Sequence, residues 1–261
     1  MKLRDIMKVI EADFPKNLAM DWDNVGLIVG DEEAEIHKVL INLDVTDAAV
    51  DRAVRSGADL ILTHHPLLFR PLRTVTEQNF IARRVRELIR HDINYYAMHT
   101  NFDIAGMADL NAEDLALRDP EVLEVLGNYD DGREYGLGRI GQLEKEMTLA
   151  DLARKVKEAM KLDAVRVYGD PDRIVSRVGV SSGAGKSAVS DALAKDADVL
   201  ITGDLDYHTA IDANARGLAM IDAGHYGTEL IYITYMADYV REKFPSLTVL
   251  TMEIEQPYTV I

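Results

Sequence analysis

The stretch ADLILTHHPLLF (58–69) ends a run of branched apolar residues on two adjacent histidines, His64 and His65. Neighbouring side chains on a strand point to opposite faces, so the two rings are not simply one surface pair. The chain has seven histidines, and five of them (His64, His65, His99, His208 and His225) fall in predicted loops after apolar strands. Asp103, Asp204 and Glu229 lie beside them. Imidazole and carboxylate without thiolate suit a divalent zinc, manganese, iron, cobalt or nickel ion. Cysteine is absent, which excludes thiolate metal sites, disulfides and cysteine nucleophiles. AGHYGTELIYITYMADYVREKF starts with glycine and reads as a helix, placing His225 and Glu229 on one face near its first turn. This many donors exceeds what one open tetrahedral site needs. It favours two ions about 3.5–4 Å apart, the arrangement that activates water and polarises a substrate oxygen. His99 and His208 are the candidates for proton transfer at such a centre, or for orienting its ligands.

Elements that can position these residues are visible on either side. VLINLD (39–44), TDAAVDRAVRSG (46–57) and ADLILT (58–63) read as strand, helix and strand, with Thr46 or Asp47 as N-cap and Gly57 as C-cap. The pattern returns: KVLINLDVTDAAVDRAVRSGADLILTHH (38–65) aligns without a gap on RVGVSSGAGKSAVSDALAKDADVLITGD (177–204). Each copy continues through a helix into a third strand, INYYAM (93–98) and LAMID (218–222). Apolar strands alternating with helices imply parallel βαβ units, whose ligands gather beyond the carboxyl ends of the strands. The expected fold is therefore α/β: two related halves from an internal duplication, with mostly parallel sheets and the metal site in the cleft between them. The halves are drawn at 1–125 and 126–261, closely packed. Residues 105–176 read as a helix (ADLNAEDLAL), a loop-rich stretch (GNYDDGREYGLG) and a further strand–helix–strand unit.

Composition narrows the partners. With 45 acids against 29 bases the formal net charge is −16, which repels phosphate backbones and argues against nucleic acid. No apolar run approaches the roughly 18–20 residues of a membrane span, and acids interrupt the amphipathic N-terminus, so a cytoplasmic protein is expected. SSGAGKS (181–187) mimics a phosphate loop, but Val180 stands where that pattern needs glycine. Arg83, Arg84, Arg86 and Arg90 read as a solvated or salt-bridged helix face. Arg70 and Arg73, just beyond HHP, are better placed to hold a substrate phosphate. Asp44 and Asn24 are weaker site candidates, and the lone Trp22 is expected to be buried.

DWDNVGLIVG (21–30), LDVT (43–46), THHPLLF (63–69), HTNFD (99–103), TGDLDYH (202–208) and DAGHYGTE (222–229) occur in this order. Together they resemble the Nif-three-like family, also known as GTP cyclohydrolase I type 2 homologues or dinuclear-metal-centre hexameric proteins. The resemblance spans almost the whole chain. It implies two α/β halves with a dinuclear site, a toroidal homohexamer, and metal ligands at His64, His65, Asp103, His225 and Glu229. Longer members insert a domain between the halves, so this chain is similar to the short form. Asp204 stands where relatives often carry Glu. Two functions follow as expectations. One is a metal-dependent hydrolase of a nucleotide-like or phosphorylated small molecule, with cyclohydrolase chemistry implied by the resemblance. The other is a non-enzymatic, metal-stabilised ring that acts as scaffold or regulator for a protein or nucleic-acid partner.

Overall fold

The computed structural model describes residues 1–252 and residue 258. Helix α1 (Leu3–Asp13) buries Leu3, Ile6, Met7 and Ile10, an apolar stripe at helical spacing. It is followed by β1 (Gly26–Val29), β2 (Lys38–Asn42), α2 (Asp47–Ser56), β3 (Leu60–Thr63), α3 (Phe80–Arg90), β4 (Asn94–Ala97) and α4 (Thr100–Phe102). Next come α5 (Ala108–Asp114), β5 (Arg118–Asn128), β6 (Glu134–Thr148), α6 (Leu149–Ala159), β7 (Arg166–Tyr168) and β8 (Ile174–Ala184). The chain continues as α7 (Ala188–Ala194), β9 (Val199–Gly203), α8 (Tyr207–Ala215), β10 (Ala219–Asp222) and α9 (His225–Glu229), then α10 (Ile231–Lys243) and β11 (Thr248–Thr251).

The chain forms two compact units. One holds Met1–Phe102 and takes up the chain again at Tyr232; the other is built from Asp103–Ile231. The boundary drawn from the sequence at residue 125 falls inside β5.

In the first unit the strand order is β1-β4-β3-β2-β11. Strands β11, β2, β3 and β4 run parallel, and β1 pairs antiparallel with β4. Every residue of β3 and β4 is buried, as a strand covered on both faces requires. Helix α2 has the expected ends: the Thr46 side chain accepts from the Ala49 amide, and Gly57 closes the helix in the left-handed region at φ 63°. Leu40, Ile61, Tyr95, Val85 and Leu88 are among the buried residues that pack the sheet against its helices.

The second unit has the order β5-β6-β8-β9-β10-β7. Strands β8, β9 and β10 are parallel, while β5, β6 and β7 pair antiparallel with their neighbours. Both sheets are thus mixed: the first is mostly parallel, as expected, with one antiparallel edge strand, whereas the second is mostly antiparallel and corrects that expectation. The physical reason lies in GNYDDGREYGLG: it is the tip of a long hairpin whose arms, β5 and β6, pair down to Asn128 and Glu134. Consecutive strands joined by so short a turn can only be antiparallel. Val178, Ile201, Ile221, Leu152 and Val156 belong to one core of this unit.

The phosphate-loop mimic and the basic helix take ordinary structural roles. A side chain at Gly185 would collide with the Thr202 hydroxyl, so the glycine is there for close packing against β9. Lys186 Nζ is committed to Asp206 at 2.9 Å. Arg83 and Arg84 both bind Asp47, Arg86 binds Glu77, and Arg90 binds Glu87. Among the described residues no helix is long and apolar enough to cross a membrane. Gly185→Ala is expected to destabilise the protein by about 1–3 kcal/mol through overpacking. Denaturant unfolding measures this, and an unchanged midpoint would contradict the assignment.

Candidate metal centre

In the first unit, β3 carries the chain directly into His64 and His65, and the turn after it is braced from several sides. The Thr63 hydroxyl and the Tyr95 hydroxyl each donate to the His65 carbonyl at 2.8 Å. The Leu67 amide donates to the Tyr95 oxygen at 2.8 Å, and the His65 amide to the Leu43 carbonyl at 2.9 Å. Burial keeps the Tyr95 phenol protonated, well above its ordinary range, so it remains a donor.

The imidazoles are oriented with equal care. His64 is fully buried, and its Nδ1 lies 2.9 Å from the Met98 carbonyl. A carbonyl only accepts, so Nδ1 carries the proton and Nε2 the lone pair. His65 Nδ1 lies 3.0 Å from Asp44 Oδ1, and His99 Nδ1 lies 2.9 Å from Asp23 Oδ1. Burial pushes the Asp23 carboxyl up, but bonds from the His99 ring and from the Thr100 hydroxyl and amide outweigh it and hold the pKa down to about 2. Asp23 is therefore an ionised acceptor that fixes the His99 tautomer. One ligand atom from each of His64, His65 and His99 lies within 4.8 Å of the others.

The second unit repeats the device. Strand β9 ends at Gly203, and Asp204 follows in a left-handed conformation, φ 53°. Its Oδ2 lies 2.8 Å from His225 Nδ1. On α9, His225 Nε2 sits 3.2 Å from Oε1 of Glu229, whose side chain is buried. Thr228 stabilises this turn: its hydroxyl donates to the His225 carbonyl and accepts from the Gly183 amide, both at 2.8 Å. A Cβ at Gly183 would stand 2.7 Å from Glu229 Oε1 and 3.3 Å from His225 Nε2, and one at Gly203 would strike the His225 amide. Two glycines thus leave the room these donors occupy. A cavity of about 600 Å³ adjoins them, lined by Asp204, Asp222, His225, Tyr226 and Arg166 among others. Asp222, buried at the end of β10, accepts from the Gly224 and Leu205 amides and from Arg166.

The donor chemistry fits a divalent cation. Metal-ligating histidines characteristically give their second ring N–H to a carboxylate or carbonyl, which fixes the tautomer and raises ligand basicity. His64, His65, His99 and His225 all show that arrangement. The buried Glu229 and its neighbour His225, with Oε1 and Nε2 3.2 Å apart, combine a carboxylate and an imidazole, a donor pair that suits a divalent cation. The three-histidine group and the His225–Glu229 pair therefore suggest metal binding.

The sequence-predicted residues fare differently. Asp103 opens a π-helical turn, Asp103–Met107, four residues after His99. His99 stands inside a ligand group rather than apart from it. His208 is exposed on α8 with its ring against Tyr207, and among the described residues it belongs to no candidate ligand group. Trp22, expected to be buried, is 54% exposed, because it lies in a loop before β1 rather than on a core-facing element. Sequence reasoning missed Asp23, although the DWDN motif contains it, and it missed Tyr95, Thr100, Gly183 and Thr228. Those act through partners distant along the chain, and apart from the motif around Asp23 no local pattern marks them.

Known proteins share this arrangement of sequence and fold. The model of the Duf34/NIF3 (NGG1p interacting factor 3) family matches residues 1–257. A GTP cyclohydrolase 1 type 2 homolog of Clostridium perfringens is 36% identical over 265 aligned residues, covering 100% of both chains. The crystal structure of a Bacillus cereus protein related to NIF3 superposes with a TM-score of 0.91 at 27% identity, covering 100% of this chain and 99% of that one. Reduced HcgD from Methanocaldococcus jannaschii gives 0.82 at 32% identity, covering 97% and 98%.

If the carboxylates orient their histidines, Asp44→Ala and Asp204→Ala should each weaken zinc or manganese binding by about 10–100-fold in calorimetric titration. Glu33→Ala, on the exposed surface, serves as the unchanged control. Wild-type affinity in both aspartate variants would contradict the orienting role.

Proposed function

This chain belongs to the Duf34/NIF3 family, and from that premise we propose that it is a dinuclear-metal-dependent hydrolase of a nucleotide-like or phosphorylated small molecule. The observation that carries the reading is the shared restraint on His64, His65, His99 and His225, each with Nδ1 against an acceptor. His64, His65, Asp103, His225 and Glu229 are the proposed ligands of two divalent ions (zinc, manganese, iron, cobalt or nickel). The gapless alignment of 38–65 on 177–204 supports treating the two donor-bearing segments as copies of one unit. Two ions so held would supply Lewis acidity and would bring the pKa of water toward neutrality.

The chain's own residues do the rest. His99 is the proposed proton carrier. With Nδ1 bonded to an ionised Asp23, the ring presents Nε2 to take up a proton and return it to a leaving group. His208, exposed and apart, has no role in this scheme. The cavity beside His225 is of a size that takes a small molecule rather than a polymer. The name of the Clostridium relative, a GTP cyclohydrolase 1 type 2 homolog, supports GTP as the first compound to try. Cytoplasmic location, an expectation from composition, and assembly into a homohexameric ring, which rests on the resemblance, complete the proposal.

Elemental analysis of the purified protein should find about two transition-metal equivalents per chain. Metal-loaded protein should hydrolyse GTP or a generic phosphoester, and His65→Ala should lose that turnover. One equivalent or fewer would refute the dinuclear centre. Turnover unaffected by His65→Ala would refute its part in the chemistry. Absence of turnover, with an oligomer that falls apart on chelation, would favour the metal-stabilised scaffold.

A further inference from the structure

Next to the three-histidine group the structure exposes two large aromatic side chains. Trp22 is 54% exposed and Phe69 is 52% exposed, and their ring centroids stand 5.5 Å apart at 48°. Single exposed apolar residues need no explanation. A pair brought together from loops distant in sequence, against a candidate ligand, is a different matter. Trp22 meets the His99 ring at 5.9 Å and 71°, and Phe69 meets it at 6.3 Å and 73°.

The two loops are also tied in place. Asn24 Nδ2 donates to the Leu68 carbonyl at 2.7 Å, stapling the Trp22 loop to the Phe69 loop. Asp23, between Trp22 and Asn24, is anchored to His99 and Thr100. The exposed rings are therefore preorganised, and binding on them costs little ordering entropy. Arg70 directly follows Phe69, Arg73 lies three residues further, and both are exposed. Exposed aromatic faces, with two exposed arginines following in the same loop, suit a planar, negatively charged heterocycle: every nucleobase has a π-face to stack, and phosphates attract guanidinium groups.

We propose that Trp22 and Phe69 form a stacking platform that selects substrates carrying a planar heterocyclic base, with Arg70 and Arg73 attracting the attached phosphates. This deepens the hydrolase reading and rests on it, in that the stacked molecule is taken to be the substrate. The platform positions the substrate beside His99 and determines specificity; it performs no chemistry itself.

Trp22 is the sole tryptophan, so its emission reports directly on the platform. Metal-loaded protein is titrated with GTP and, separately, with inorganic triphosphate. GTP should change Trp22 emission saturably, whereas triphosphate should not. Phe69→Ala should weaken GTP binding by roughly 5–100-fold, the loss of one base–aromatic stack, and leave triphosphate affinity as it was. Phe69→Tyr should restore the wild-type value. Equal affinity for GTP and triphosphate, or wild-type GTP binding by Phe69→Ala, overturns the platform. So does Trp22 emission that ignores GTP, ATP and CTP alike. Turnover followed on the same samples separates the two ideas. GTP that stacks while neither it nor a generic phosphoester is hydrolysed upholds the platform and sinks the hydrolase reading. Phosphoester hydrolysis that His65→Ala abolishes, with no response from Trp22, does the reverse.

Discussion

The candidate centre depends on one kind of hydrogen bond, the one that holds Nδ1 of each clustered histidine. An unrestrained imidazole exchanges tautomers and rotates, and either nitrogen can face a metal. Here Met98 O, Asp44, Asp23 and Asp204 take up Nδ1 of His64, His65, His99 and His225 in turn. Each ring is held in one orientation, with Nε2 as the nitrogen turned away from that acceptor. Asp44, Met98 and Asp204 follow strands β2, β4 and β9, and Asp23 lies in the loop before β1, so the fold places donor and acceptor together.

That restraint is inherited from more ordinary structure. The turn after β3 is held by the hydroxyls of Thr63 and Tyr95, both buried, and neither can drift without unsatisfying the His65 carbonyl or the Leu67 amide. Leaving such buried groups unpaired costs about 1–3 kcal/mol each, which fixes the turn more firmly than loop backbone alone would. In the second unit the corresponding rigidity comes from close approach. Gly183 and Gly203 let backbone lie against His225 and Glu229, and Thr228 bonds across that contact. Different means reach one end: small tolerance in the positions of a few nitrogens and oxygens.

Much of this was legible in the sequence, for identifiable reasons. The β2–α2–β3 segment carries its own signals, an apolar run, a threonine cap and a terminal glycine, all realised locally. The pairing of His225 with Glu229 needs only helical spacing. The antiparallel β5–β6 hairpin was not legible, because its charged strands and Gly/Asp-rich tip look like a loop until paired. His99 and His208 looked alike in sequence and are separated by tertiary contacts: one meets Asp23 across the fold, the other faces solvent. Trp22 and Asn24 came into view through the DWDN motif, but the bond from Asn24 to Leu68 and the exposure of the indole depend on a loop more than forty residues away.

The central claim is that these rings are fixed as Nδ1–H tautomers before any cation arrives. Long-range proton–nitrogen NMR of imidazole-labelled protein, recorded first without metal and then with zinc added stepwise, tests it most directly. Nδ1–H signals are expected for His64, His65, His99 and His225 in the metal-free protein, with zinc shifting Nε2 of His64, His65 and His225. Nε2–H tautomers or freely exchanging rings in the metal-free state, or Nε2 shifts indifferent to zinc, would contradict it.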